Sequence, residues 1–190
     1  MKVLITGGLG FIGSNLAIKC VEMGHDVNIL DSLDSNSGGN LFNIYDIQKK
    51  VKIINADISI YEDILESIKN CELIFNCAAS TSHLQSMKTP WENLSTNAKG
   101  VMNILEAIRR HNPKAKLIHL STTTQMGKLK YEPADELHSE FPTEIYSANK
   151  MVSEKYCLIY SNAFGIQSVV LRLCNVFGPR AAINSPDFTF

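Results

Sequence analysis

Six short apolar runs, each rich in β-branched residues and separated by stretches long enough for a helix, set the tightest limit on this chain's fold. They lie at 2–6, 26–30, 51–55, 73–77, 116–120 and 168–172. Helical patterns fall near 12–23, 60–69, 92–111 and 144–163, and a weaker one starts near Asn40. Strands that are apolar almost throughout need cover on both faces, and crossovers of helical length join strands in parallel. The pattern predicts an α/β fold, a doubly wound parallel sheet. The 190 residues suffice for one such domain. Two segments, 34–39 and 123–142, read as loops, and the second is long enough to suggest a functional one.

Composition excludes several classes. Hydrophobic residues make up 45% and charged residues 19%, with a net charge of -1 and no basic block. That is a soluble globular balance, with nothing to favour nucleic acid or a membrane surface. No apolar run approaches the roughly 18 residues of a membrane helix. The opening MKVLITGG lacks the apolar segment and cleavage site of a signal peptide, so a cytoplasmic location is expected. Cys20, Cys71, Cys77, Cys157 and Cys174 are odd in number and form no CxxC, and they read as reduced core residues. The five histidines, at 25, 83, 111, 119 and 138, show no ligand spacing, so no metal is expected.

The first apolar run leads straight into ITGGLGFIG, with Gly7, Gly10 and Gly13 three apart. Strand, G-x-x-G-x-x-G and helix together make a phosphate-binding turn. One glycine permits the turn, the next lets backbone approach a pyrophosphate, and the last lets helix and strand pack closely. Asp31 ends the second run. A carboxylate there accepts from adenosine ribose hydroxyls and repels a 2′-phosphate, which favours NAD over NADP. Downstream, Tyr146 and Lys150 stand four apart, on one face of a helix. A nearby ammonium is expected to pull the phenol toward ionisation and make it a general base. Thr122 follows the fifth run, where parallel sheets gather ligands, and can hold a substrate oxygen beside Tyr146. Ser121, Thr123 and Thr124 are its rivals for that role.

Taken together, TGGLGFIG (6–13), Asp31, Ala56-Asp57-Ile58, Asn76-Cys77-Ala78-Ala79, Asn97-Ala98-Lys99-Gly100, Ser121-Thr122, Tyr146 with Lys150, and RLCNVFGPR (172–180) resemble the extended short-chain dehydrogenase/reductase family in its nucleotide-sugar epimerase/dehydratase branch. The match spans nearly the whole chain. It implies a Rossmann fold with NAD as cofactor. Gly7, Gly10, Phe11, Ile12 and Gly13 would border the pyrophosphate, and Asp31 the adenosine ribose with Asn36 nearby. Asp57 and Ile58 would flank the adenine. Cys77, Ala78 and Ala79 would line the nicotinamide side, with Asn97 by the cofactor and Leu173 and Cys174 beside it. Lys150 would bond the nicotinamide ribose and tune Tyr146, and Thr122 would assist at the sugar hydroxyl. Ser80, Ser86 and Asn175 would meet the nucleotide sugar.

The implied reaction is epimerisation of a nucleotide-activated sugar, a UDP-hexose at C4, through transient oxidation to a 4-keto intermediate. Alternatives are a dehydratase or decarboxylase using bound NAD, a reductase, and, in another class, a non-catalytic NAD-binding module. The dehydratases carry acidic residues after the catalytic threonine, where this chain has Thr123 and Thr124. The decarboxylases' glutamate is missing too, and the family's VYG reads Gln125-Met126-Gly127. An acid-free, hydroxyl-rich loop fits the epimerase. Residues 1–172 would form the NAD-binding domain and 173–190 the start of a substrate-binding region. The final NVFGPRAAINSPDFTF has no closing element, which suggests a fragment lacking most of a smaller C-terminal domain. The family also implies a homodimer through a four-helix bundle built from the helices at 92–111 and 144–163. Ile104, Leu105 and Ile108 face either that partner or the core.

Overall fold

The structure, a computed structural model, describes residues 1–34 and 37–181. Six strands form one parallel sheet: β1 (Lys2–Thr6), β2 (Asp26–Asp31), β3 (Lys52–Asn55), β4 (Leu73–Asn76), β5 (Lys116–Thr122) and β6 (Ser168–Leu173). Their order is β3-β2-β1-β4-β5-β6. The chain builds outward from β1 to β3, then returns to β4 on the other side of β1 and builds outward again. Connections leaving β1 and β4 therefore part to opposite faces, and the carboxyl ends of these two strands border a crevice.

Side chains alternate between the two faces of β1, as a strand's period of two requires. Val3 and Ile5 pack with Val27, Ile29, Ala17 and Cys20, under α1 (Phe11–Glu22) and a 3-10 segment at Leu41–Lys50. Leu4 packs on the other face with Leu30, Ile74 and Leu117, under α2 (Tyr61–Lys69), α5 (Gly100–His111) and α6 (Ile145–Phe164). Ile104, Leu105 and Ile108 belong to this second core with no exposed surface, so the question of their orientation resolves to the core.

Three local departures from the sequence pattern have local causes. The weak helix near Asn40 is a 3-10 segment, capped by Asn40 Oδ1 accepting from Phe42 N at 2.9 Å and kinked at Ile44. The helix expected over 92–111 is α4 (Pro90–Leu94), a π turn (Ser95–Lys99) and α5 in succession. Across the π turn, Asn93 and Asn97 both donate to the Ser80 carbonyl, at 3.1 and 2.8 Å. A short helix, α3 (His83–Lys88), went unpredicted. Its six residues are too few for a periodic signal, although Ser82 Oγ caps Gln85 N at 3.1 Å.

Candidate functional site

A groove of about 1580 Å³ opens along the carboxyl ends of the strands. At its centre, Gly7 lies at φ +64°, and its N–H donates to the Leu30 carbonyl at 2.8 Å. A Cβ on Gly7 would stand 2.7 Å from Ala78 N, so glycine is what lets the end of β1 pass the residues after β4. Gly13 is tighter still, since its Cβ would come within 2.2 Å of Gly7 O. Helix α1 begins at Phe11 with Gly10 as its cap, and no side chain satisfies its first amides. Such an uncapped, glycine-cradled helix end favours an anion. Across the groove, the buried hydroxyl of Ser121 has no hydrogen-bond partner among the described residues. Cradle and orphaned hydroxyl both fit a dinucleotide laid across the switch point.

Gly7, Gly10, Phe11, Ile12, Gly13, Asp31, Asp57, Ile58, Cys77, Ala78, Ala79 and Leu173 all line this one groove, together with Ser80, Thr122, Tyr146, Lys150 and Asn175. Asp31 accepts backbone N–H groups from Leu9 and Leu33, each at 3.0 Å and each on a different oxygen. One acceptor site per oxygen remains for a ribose hydroxyl. Asn36 lies outside the described residues. Two of the expected residues stand behind the groove wall rather than on it. Asn97 is buried behind the wall and grips Ser80 at both backbone polar groups, accepting from its N–H at 3.1 Å and donating to its C=O. Ser86 is fully buried too. Its Oγ donates to the His83 carbonyl at 2.7 Å and accepts from Tyr146 N at 3.2 Å. Neither lines the groove. Both hold the residues that do. Of the cysteines, Cys174 is exposed rather than in the core.

Tyr146 and Lys150 share a face of α6, but the electrostatic expectation for them fails. Burial and the Glu144 carboxylate push the phenol up to about 12, and the hydrogen bond from Thr122 offsets only part of this. Lys150 instead spends its ammonium on the Leu120 carbonyl, within the core. Burial lowers Lys150 to about 8. From about pH 8 to 10.5 the unfolded chain holds a proton that the folded chain has released, so this group makes stability rise with pH. Below pH 8 the buried charge costs about 3 kcal/mol. Lys150→Met is therefore expected to stabilise the protein by about 1–3 kcal/mol at pH 7, once the lost carbonyl bond is allowed for, and by much less near pH 10. Denaturant titrations at both pH values check this, and a lower midpoint for the variant at pH 7 would contradict it.

His83 and Glu144 were missed as a pair in the sequence reading. His83 Nδ1 lies 3.1 Å from Glu144 Oε1, and its ring packs 4.7 Å from the Tyr146 ring. Glu144 caps α6, with both carboxylate oxygens accepting from Ser147 N at 3.1 and 3.2 Å. The available signal was the acid three residues before Ser147 at a helix start. Among the described residues, no group of three or more His, Cys, Asp or Glu is placed to hold a metal ion, and no helix is long and apolar enough to cross a membrane.

The model of the NAD dependent epimerase/dehydratase family matches residues 3–188. A putative UDP-glucose 4-epimerase of Methanocaldococcus jannaschii is 34% identical over 94% of this chain and 57% of its own length. A UDP-N-acetylglucosamine 4-epimerase of Methanobrevibacter ruminantium, solved in complex with UDP-N-acetylmuramic acid, superposes with a TM-score of 0.91 at 30% identity, covering 100% of this chain and 59% of its own. A UDP-glucose 4-epimerase of Thermus thermophilus, solved with NAD, gives a TM-score of 0.87 at 30% identity over 98% and 59%. The chain thus spans less than two thirds of each of these relatives.

Proposed function

The chain belongs to the NAD-dependent epimerase/dehydratase family, and from that premise we propose that it forms the cofactor-binding part of a nucleotide-sugar epimerase acting on a UDP-hexose at C4. One observation carries the choice within the family. Beside Tyr146 the groove wall is made of Ser121, Thr122, Thr123 and Thr124, with Glu144 set behind them. A wall of hydroxyls can hold and pass a proton but is a poor acid for expelling water.

In this reading the glycine turn and the first turn of α1 seat the pyrophosphate, and Asp31 takes the adenosine ribose. Asp57 and Ile58 border the adenine, and Cys77, Ala78, Ala79 and Leu173 the nicotinamide. When bound, NAD supplies the hydride acceptor and donor for one sugar carbon. Tyr146 takes the proton from the sugar hydroxyl and later returns it. Thr122 holds the same oxygen and orients it toward the phenol. Lys150, close by on α6, bonds the nicotinamide ribose. Ser80 and Asn175 face the sugar nucleotide, and residues 173–190 begin the region that encloses it. We place the enzyme in the cytoplasm as a homodimer through a four-helix bundle of the helical segments at 92–111 and 144–163, a pairing supported by the exposed Leu158 and Ile159 on α6.

Proton NMR of the complete protein with a panel of nucleotide sugars and no added cofactor tests the reading. The expected product has unchanged mass and inverted C4. Release of water or carbon dioxide would transfer the assignment to a dehydratase or decarboxylase. A protein that binds NAD and converts none of the panel would refute the epimerase.

A further inference from the structure

After β6 the chain does not leave the groove. Leu173 and Asn175 border it, and from there the chain crosses the first turn of α1 and reaches the 3-10 segment at Asn43. Val176 and Ala181 line the groove as well, and residues 176–179 face α1 across a cavity of about 310 Å³. Packing there is loose, with Val176 45% and Phe177 76% exposed. Polar ties hold the segment instead. Arg180 Nε donates to the Asn43 carbonyl at 2.7 Å, and Nη1 donates to Asn15 Oδ1 on α1 at 3.0 Å. Asn15 Nδ2 donates in turn to the Pro179 carbonyl at 3.0 Å. Arg180 sits at φ +74°, a left-handed conformation that a residue with a side chain keeps only where its contacts enforce it.

We propose that residues 176–181 form a strap past which bound NAD must move to enter or leave, with Arg180 as its catch. The proposal rests on NAD as the group in the groove and on the placement of its parts given above, not on the reaction. The two ends of the strap fix its course. It starts at Leu173 and Asn175, on the nicotinamide side. It ends at Asn43, just after Gly39, whose Cβ would stand 2.8 Å from Asp31 Oδ1 on the adenosine ribose side. Between those ends it passes the start of α1, where the pyrophosphate is seated.

The catch acts on protein groups alone. Asn15 Nδ2 also donates to the Phe11 carbonyl at 2.8 Å, and Asn43 Nδ2 to the Leu9 carbonyl at 2.8 Å. Both landing points are thus fastened to the glycine turn and the start of α1 without help from Arg180. Removing the Arg180 side chain frees the strap and leaves the cradle in place. It changes how fast NAD enters and leaves, by the same factor in each direction, and not how tightly NAD is held. Slow exchange suits an enzyme that reduces and reoxidises one NAD molecule within a turnover, because the reduced cofactor must not escape before the hydride returns.

The test uses the complete protein loaded with NADH and mixed rapidly with excess NAD, so that the loss of bound NADH fluorescence gives the release rate. Arg180→Ala should release NADH about tenfold faster or more, because two hydrogen bonds from a charged donor are lost. Asn15→Ala, which cuts the ties to both Arg180 and Pro179, should also speed release. Affinity is read from the rise of Tm with NADH concentration, and in Arg180→Ala the Kd should stay within about threefold of wild type. A wild-type release rate in Arg180→Ala, whatever Asn15→Ala does, would overturn the strap. So would a loss of affinity as large as the gain in release rate, since that places the damage in the cradle. A wild type that neither binds NADH nor is stabilised by it would overturn the cofactor assignment, and the strap with it.

Discussion

Tyr146→Phe in the complete protein should lower turnover of a nucleotide hexose by about 10²-fold or more while leaving NAD bound. The substitution removes one oxygen and keeps the ring, which is wedged against His83 at 4.7 Å and whose backbone N–H is held by Ser86. The fold therefore has no reason to change, and three of the neighbouring groups are poor replacements. Thr122 is a hydroxyl with a far weaker acid's proton, Lys150 is committed to the Leu120 carbonyl, and Glu144 is one Ser147 hydroxyl further back. Steady-state kinetics beside a thermal melt separate the two effects. Turnover within a factor of a few of wild type would remove Tyr146 from the role of base.

The second large effect belongs to Gly13. Gly13→Ala places a methyl group 2.2 Å from Gly7 O, 2.8 Å from Gly7 C and 2.8 Å from Gly8 Cα, all of them backbone. No side chain can swing aside, so either the glycine turn or α1 must shift. Overpacking of this kind costs about 3 kcal/mol, or roughly 6–12 °C in Tm for a protein of this size. Because the strain falls on the cradle itself, NAD affinity should fall with it. Thermal denaturation with and without NAD measures both, and a variant that melts and binds like wild type would show that the third glycine is dispensable.

Much of this architecture could be read from residue pattern. Six strands and the four strongest helices announce themselves because a period of two and a period near 3.6 are properties of local sequence. The glycine turn was legible for a related reason, since only glycine tolerates backbone at 2.2 to 2.9 Å. What could not be read depends on distance in space. Asn97 sits in a motif that suggests ligand contact, and the family resemblance implies such contact for Ser86, yet both point backward, at Ser80 and at the backbone of His83 and Tyr146. The ionisation of Tyr146 was misjudged because helical spacing gives the face that Lys150 occupies but not the carbonyl it chooses. His83 and Glu144, 61 residues apart, meet only when α3 packs on the start of α6.

The wall behind the groove has a consequence of its own. Asn93 accepts from Asn97 at 3.0 Å and from Asn149 at 2.9 Å, and all three amides converge behind Ser80. Thr6, Asn76, His119 and Ser153 make a second strut across the sheet, with Thr6 Oγ1 to Asn76 Oδ1 at 2.6 Å and His119 Nε2 to Ser153 Oγ at 3.0 Å. Amides and hydroxyls do not titrate in water's ordinary range. His119, the one member of either strut that could, is driven well below its usual value by burial and by the charge on Lys150. The frame is thus acid–base silent. As protons come and go on the groups it carries, the positions of those groups stay fixed, like marks on a rule that does not swell in the solution it measures.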